Sequence, residues 1–152
     1  MEIERKFLIK SLPANLTGYP SQLIEQGYLC TKPVVRIRRQ DQDYILTYKS
    51  AGLMSREEYN LPLTQESYLH LRGKTDGLLI TKTRYRIPIG NGLTAELDVF
   101  HGSHDGLTLV EVEFPTEDAA NAFVPMPWFG EEVTYSTKYH NSTLSTHPYP
   151  FD

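Results

Sequence analysis

The chain has 152 residues, 22% of them charged, and a formal net charge of −4. That length suits one domain with a core of its own, and the mild acidity excludes a general binder of nucleic acid or acidic membrane. The single cysteine, Cys30, excludes an intramolecular disulfide and suits a reducing compartment. No run approaches the length of a membrane span. The chain opens directly into a strand, so no signal peptide is expected and the cytoplasm is the expected location.

Met1-Glu2-Ile3-Glu4-Arg5-Lys6-Phe7-Leu8-Ile9 alternates in character. Side chains on a strand point to alternate faces, so Glu2, Glu4 and Lys6 share one face while Ile3, Phe7 and Ile9 take the other. Carboxylates about 6–7 Å apart along a strand can both reach one hard cation, and the lysine can hold an anion bound to it.

Further strands are expected near 23–30, 34–40, 43–50, 54–61, 78–88, 93–100 and 107–114, separated by Gly, Pro, Asp or Asn. The same charge spacing recurs along them. Arg36 shares a face with Arg38, Arg56 with Glu58, Lys82 with Arg84 and Arg86, Glu96 with Asp98, and Glu111 with Glu113, while Lys49 ends its strand. Acids collect on the first and the last two strands, and bases in the middle. Repeated charges at i, i+2 predict a barrel with a polar interior and an apolar or helix-covered exterior.

Asp41-Gln42-Asp43 and Gly90-Asn91-Gly92 read as hairpin turns. Thr64 is a predicted N-cap for a helix burying Tyr68, Leu69 and Leu71 and ending near Gly73 or Gly77. Thr116 caps a second helix, from Glu117 to about Val124, stopped by Pro125 and Pro127. Residues 147–152 form a tail without periodicity. His101 and His104 are expected to be solvated loop residues, and Cys30 a small buried one. The ten tyrosines could suit an oligonucleotide-binding barrel, but the acids on the same faces oppose that reading.

Glu2-Ile3-Glu4-Arg5-Lys6 is similar to the ExExK signature of the CYTH superfamily, the triphosphate tunnel metalloenzymes. Gln26-Gly27-Tyr28-Leu29, Arg36-Ile37-Arg38, Lys49, Arg56-Glu57-Glu58-Tyr59, Lys82-Thr83-Arg84, Glu96-Leu97-Asp98-Val99-Phe100 and Glu111-Val112-Glu113 resemble family blocks in family order. Val133-Thr134 with Lys138-Tyr139 and Asn141 resembles the C-terminal block. There the chain departs from the family, with Ser136 in place of an acid and Lys138 in place of an arginine. The resemblance covers residues 2–144 within a single CYTH-like domain over 1–152. It implies a mainly β fold: a closed eight-stranded antiparallel β-barrel, forming a tunnel, with a few flanking helices.

The resemblance also implies a chemistry, hydrolysis of inorganic triphosphate or a related short polyphosphate. A linear triphosphate carries about four negative charges and needs fixed cations, a role falling to Arg36, Arg38, Lys49, Lys82, Arg84 and Lys138. Acids beside phosphate are repulsive unless a divalent cation intervenes, so Glu2, Glu4, Asp98, Glu111 and Glu113 are the expected ligands of Mg²⁺ or Mn²⁺. Lys6 and Tyr28 are the expected pair that orients or deprotonates the attacking water. Free Lys and Tyr titrate near pH 10, so that role implies an alkaline optimum. Arg56, Glu58 and Glu96 are supporting residues. The expected partner is a small triphosphate-containing molecule, with neither nucleic acid nor membrane, and the oligomeric state is left open. Adenylate cyclase and thiamine triphosphatase are alternatives on the same fold. A non-catalytic module binding polyphosphate or nucleotide is a third.

Overall fold

The computed structural model describes residues 3–51 and 57–151; Glu2 and Arg56 lie outside the described residues. Its strands are β1 (Glu4–Ile9), β2 (Ser21–Thr31), β3 (Val34–Gln40), β4 (Asp43–Lys49), β5 (Glu58–Pro62), β6 (Asp76–Gly90), β7 (Leu93–His101), β8 (Thr108–Glu113) and β9 (Phe129–Glu132). Helices α1 (Gln65–Arg72), α2 (Glu117–Ala122) and α3 (Asn141–Leu144) complete the regular structure, with short 3₁₀ turns.

The predicted closed eight-stranded barrel does not form. Among the described residues there is one open, nine-stranded antiparallel sheet in the order β5-β4-β3-β2-β6-β7-β8-β1-β9. Closing the sheet would need the free edge of β1 to pair with β5. That edge is taken instead by β9, which the sequence reading did not anticipate, through Phe7↔Glu132 and Ile9↔Phe129. At the other end β5 has five residues, all exposed, and finishes on Pro62, which has no backbone N–H to extend a ladder. The sheet nevertheless curls, because residues of β5 and of β1 border the same cavity.

Strand alternation sorts the two faces. On the outer face Phe7, Ile87, Ala95, Leu97, Val110 and Val112 are buried with Phe114, Ala120 and Phe129. The covering layer is α2 and the segment after it, whose Phe123 sits edge-on to Phe114 at 5.2 Å. Thr116 caps α2 by accepting from Ala119 N. Helix α1 covers the outer side of β3 and β4 and carries a capping box between Thr64 and Ser67. Only Tyr68 of its three predicted core residues is buried; Leu69 is half exposed. An eight-residue helix touches the sheet with a single turn, and the Tyr68 ring meets that of Tyr44 at 5.2 Å.

A second cluster, Tyr28, Ile80, Phe100, Leu107, Leu109, Val133 and Leu144, is packed by Tyr139, Tyr149 and Phe151 of the C-terminal segment. The tail therefore packs down. His104, expected in solvent, is fully buried beneath it, its Nε2 lying 2.6 Å from Leu144 O and 3.0 Å from His147 O. Gly77 has φ +74° and lies so close to the Ser145 carbonyl that a Cβ would collide with it. Cys30, expected to be buried, is exposed. In the Asn91-Gly92 turn both residues have positive φ, as a two-residue hairpin loop with matching twist requires.

Candidate active site

Register decides which charges meet. Across β1 and β8, Glu4 faces Glu113 and Lys6 faces Glu111. Across β7 and β8, Glu96 faces Glu111, and across β6 and β7, Arg84 faces Asp98 and Arg86 faces Glu96. Gln26 stands opposite Arg38, and Lys49 opposite Glu58. The curl of the sheet brings these rows around one cavity of about 350 Å³, bordered by Glu4, Lys6, Arg36, Arg38, Lys49, Glu58, Arg84, Glu96, Glu111 and Glu113. Gln40, Thr47, Asn60 and Asn141 also border it, and the sequence reading gave none of them a role. Thr47 and Asn60 carry the signal that could have found them, the parity of Lys49 and Glu58. Asn141 lies on a short helix, outside strand parity, and its signal is its place in the C-terminal block.

The walls differ in how their charges are used. Among the described residues, Arg36, Arg38 and Lys49 have no carboxylate within ion-pair distance and the buried Nε of Arg36 has no hydrogen-bond partner. Burial, reinforced by the charges of Arg36 and Arg84, lowers the pKa of Arg38 to about 10. On the other wall, Lys6 Nζ lies 3.3 Å from Glu111 Oε1 and donates to Tyr139 O at 3.3 Å.

Behind Arg84 the chain buries an ionic network. Lys82 and Asp98 are each 2% exposed, with Lys82 Nζ 2.8 Å from Asp98 Oδ2. Arg84 donates to Asp98 Oδ1 from Nε at 2.8 Å and to Oδ2 from Nη2 at 3.0 Å. Burial alone would raise the Asp98 pKa, but the Lys82 charge and the Arg84 bonds outweigh it and bring it to about 2. Burial also works against the Arg84 charge, yet its bonds to Asp98 and the nearby Glu96 leave its pKa raised.

Tyr28 does not border the main cavity. It is buried in the second apolar cluster and opens onto a neighbouring hollow of about 590 Å³ with Pro33, Val34 and His140. The hollow and the cavity share Arg36, Lys49 and Asn141. Lys138 stands apart from both, in a shallow groove with Glu131, Thr134, Tyr135 and Tyr139.

The fold and this cavity of facing acidic and basic walls define a class. A model of the CYTH domain matches residues 1–146, and the chain belongs to that family. The chain is 45% identical over 148 residues, 95% of its length and 96% of the relative's, to a protein of Nitrosomonas europaea named inorganic triphosphatase. It is 34% identical over 153 residues, covering 97% and 95%, to one of the same name from Acetivibrio thermocellus. The crystal structure of an inorganic triphosphatase aligns with a TM-score of 0.78 at 41% identity, covering 95% of this chain and 94% of that one. A Hippeastrum protein for which a dominant triphosphatase activity is described shares the fold at a TM-score of 0.60 and 17% identity, over 80% and 83% of the two chains.

Family membership carries dependence on a divalent metal, and the donor set fits one. Glu4 and Glu113 face each other with Glu111 one step away on the same face, and carboxylate oxygens are the ligands hard cations take. Among the described residues no three acids, histidines or cysteines are gathered into a group that could hold an ion. An ion of the magnesium type does not require such a group, being commonly held by one or two carboxylates together with substrate phosphates. Among the described residues no helix is long and apolar enough to cross a membrane.

Proposed function

We propose that the chain hydrolyses inorganic triphosphate or a closely related short polyphosphate, with Mg²⁺ or Mn²⁺. One observation carries this reading beyond the relatives' names. Three cationic side chains that have no carboxylate within ion-pair distance among the described residues share a cavity with three carboxylates on its other wall. A free polyanion suits only the first wall and a free cation only the second; a polyphosphate with its bound metal suits both.

In this reading Arg36, Arg38 and Lys49 grip phosphate oxygens, the guanidiniums through paired N–H bonds and the lysine as a point charge. Arg84 presents its remaining N–H groups to the cavity, while Asp98 holds Arg84 and Lys82 in place and is itself fully engaged. Glu4, Glu111 and Glu113, with Glu2, would hold the metal, which when bound neutralises charge on the phosphates and activates water. Glu96 steadies Arg84 and Arg86 beside it, and Glu58 stands opposite Lys49 as a supporting residue bordering the cavity. Water attacks the terminal phosphorus, the bridging P–O bond breaks, and orthophosphate leaves with the shortened chain. Lys6, 3.3 Å from Glu111, is assigned to orienting that water, and Tyr28, which opens onto the neighbouring hollow, is assigned as its partner.

A substrate panel of tripolyphosphate, pyrophosphate, ATP and thiamine triphosphate with Mg²⁺ or Mn²⁺ tests the reading. Phosphate release fastest from tripolyphosphate is expected. Cyclic AMP from ATP, or preference for thiamine triphosphate, would replace it with one of the alternatives. Tyr28→Phe deletes only the hydroxyl and is expected to leave KM nearly unchanged and lower kcat. Wild-type turnover by that variant across the alkaline range would make Tyr28 a wall residue.

A further inference from the structure

Gln26 is completely buried directly opposite Arg38. Its Oε1 accepts from Arg38 Nε at 3.2 Å and from Nη2 at 3.0 Å. Those two bonds fix the orientation of the amide, since turning it over would set its NH₂ against two N–H donors. The same orientation leaves Nε2 buried with no acceptor among the described residues, and an unmade bond at a buried donor is a standing cost. Glutamate has the same size, would take the same two bonds and would leave no donor orphaned. It would also neutralise Arg38.

The neighbouring arginine shows the other arrangement. Arg84 uses the same two nitrogens, Nε and Nη2, but gives them to the carboxylate of Asp98, with Glu96 Oε2 a further 3.3 Å from Nη1. Its charge is matched within the protein. Arg38, fixed in a similar way by a neutral group, has no carboxylate within ion-pair distance among the described residues.

We propose that Gln26 is a positioning residue for anion capture, holding the plane of the Arg38 guanidinium while leaving its charge and its remaining N–H groups to phosphate oxygens in the cavity. The orphaned Nε2 is what a neutral acceptor at this position costs the fold. The inference rests on the triphosphate reading of the site and assigns its first anion contact to Arg38 in preference to Arg84.

Titration calorimetry of tripolyphosphate into the full chain in chelator, without metal, tests it with thermal melts of the same samples. Gln26→Glu is expected to weaken binding at least about tenfold, by matching the Arg38 charge and repelling phosphate, with a Tm no lower than wild type because the orphan donor is gone. Gln26→Met keeps the charge free but loses its orientation, and about a threefold loss is expected. In turnover, Gln26→Glu should raise KM more than it lowers kcat. Wild-type affinity in a folded Gln26→Glu protein would overturn the proposal. Should Gln26→Glu not fold, wild-type affinity in Gln26→Met would overturn it and the threefold loss would support it. Absence of tripolyphosphate binding to the wild-type chain both in chelator and with Mn²⁺ would instead remove the reading of the site on which the proposal rests.

Discussion

Asp98→Asn is expected to cost about 3–5 kcal/mol of folding stability in metal-free buffer, a fall of roughly 10 °C in Tm for a chain of this length. Lys82 and Asp98 are both buried, 2.8 Å apart, and the amide would leave the Lys82 charge without its counter-charge. Replacing both partners with apolar residues, Lys82→Met with Asp98→Leu, removes the orphaned ion and should recover much of the loss. The sign in pH follows from the depressed pKa. With Asp98 at about 2 in the folded protein and near 3.9 when unfolded, its contribution is fully present above pH 4 and is lost as pH falls towards 2. The melt in chelator also separates two roles for this residue. A carboxylate whose task was to bind metal would leave metal-free stability unchanged, or raise it, on conversion to the amide.

Glu4→Gln is expected to lower turnover of tripolyphosphate at least about a hundredfold and to weaken Mn²⁺ binding, while Tm stays within a few degrees of wild type. Glu4 faces Glu113 across the β1–β8 ladder, so deleting one charge relieves repulsion in the metal-free protein. Calorimetric titration of Mn²⁺ is the direct check. An unchanged affinity would assign the acids of this wall to the cations of the cavity and not to a metal.

Much of the site could be read from sequence because it depends on parity. Arg36 with Arg38, and Glu111 with Glu113, are two residues apart on strands, and no later packing event can move one of a pair to the opposite face. Closure of the sheet has no such local code. It depends on which segment claims the outer edge of β1, and Phe129-Gly130-Glu131-Glu132 is too short and too weakly alternating to read as a strand. Asp98 and Glu96 look alike at i, i+2, yet only the register against Arg84 and Lys82 reveals that Asp98 is fully engaged. The burial of His104 was invisible for another reason. Its partners are backbone carbonyls forty or more residues away, and a carbonyl leaves no mark on the sequence. Gln26 is visible in the Gln26-Gly27-Tyr28-Leu29 block and by parity with Tyr28, but its part depends on its register against Arg38, which an uncharged side chain does not signal.

The open edge between β5 and β9 gives the molecule a mechanical freedom that a closed cylinder lacks. Widening a cylinder means stretching or breaking a ladder somewhere on its circumference. An open sheet can change the distance between its two flanks by small changes of twist shared among eight strand pairings, with every ladder bond kept. The flank bearing Arg36, Arg38 and Lys49 and the flank bearing Glu4, Glu111 and Glu113 are then two jaws on one elastic spine. If those side chains bind polyanions as proposed, a short and a longer polyanion are expected to be clasped by the same jaws at little elastic cost.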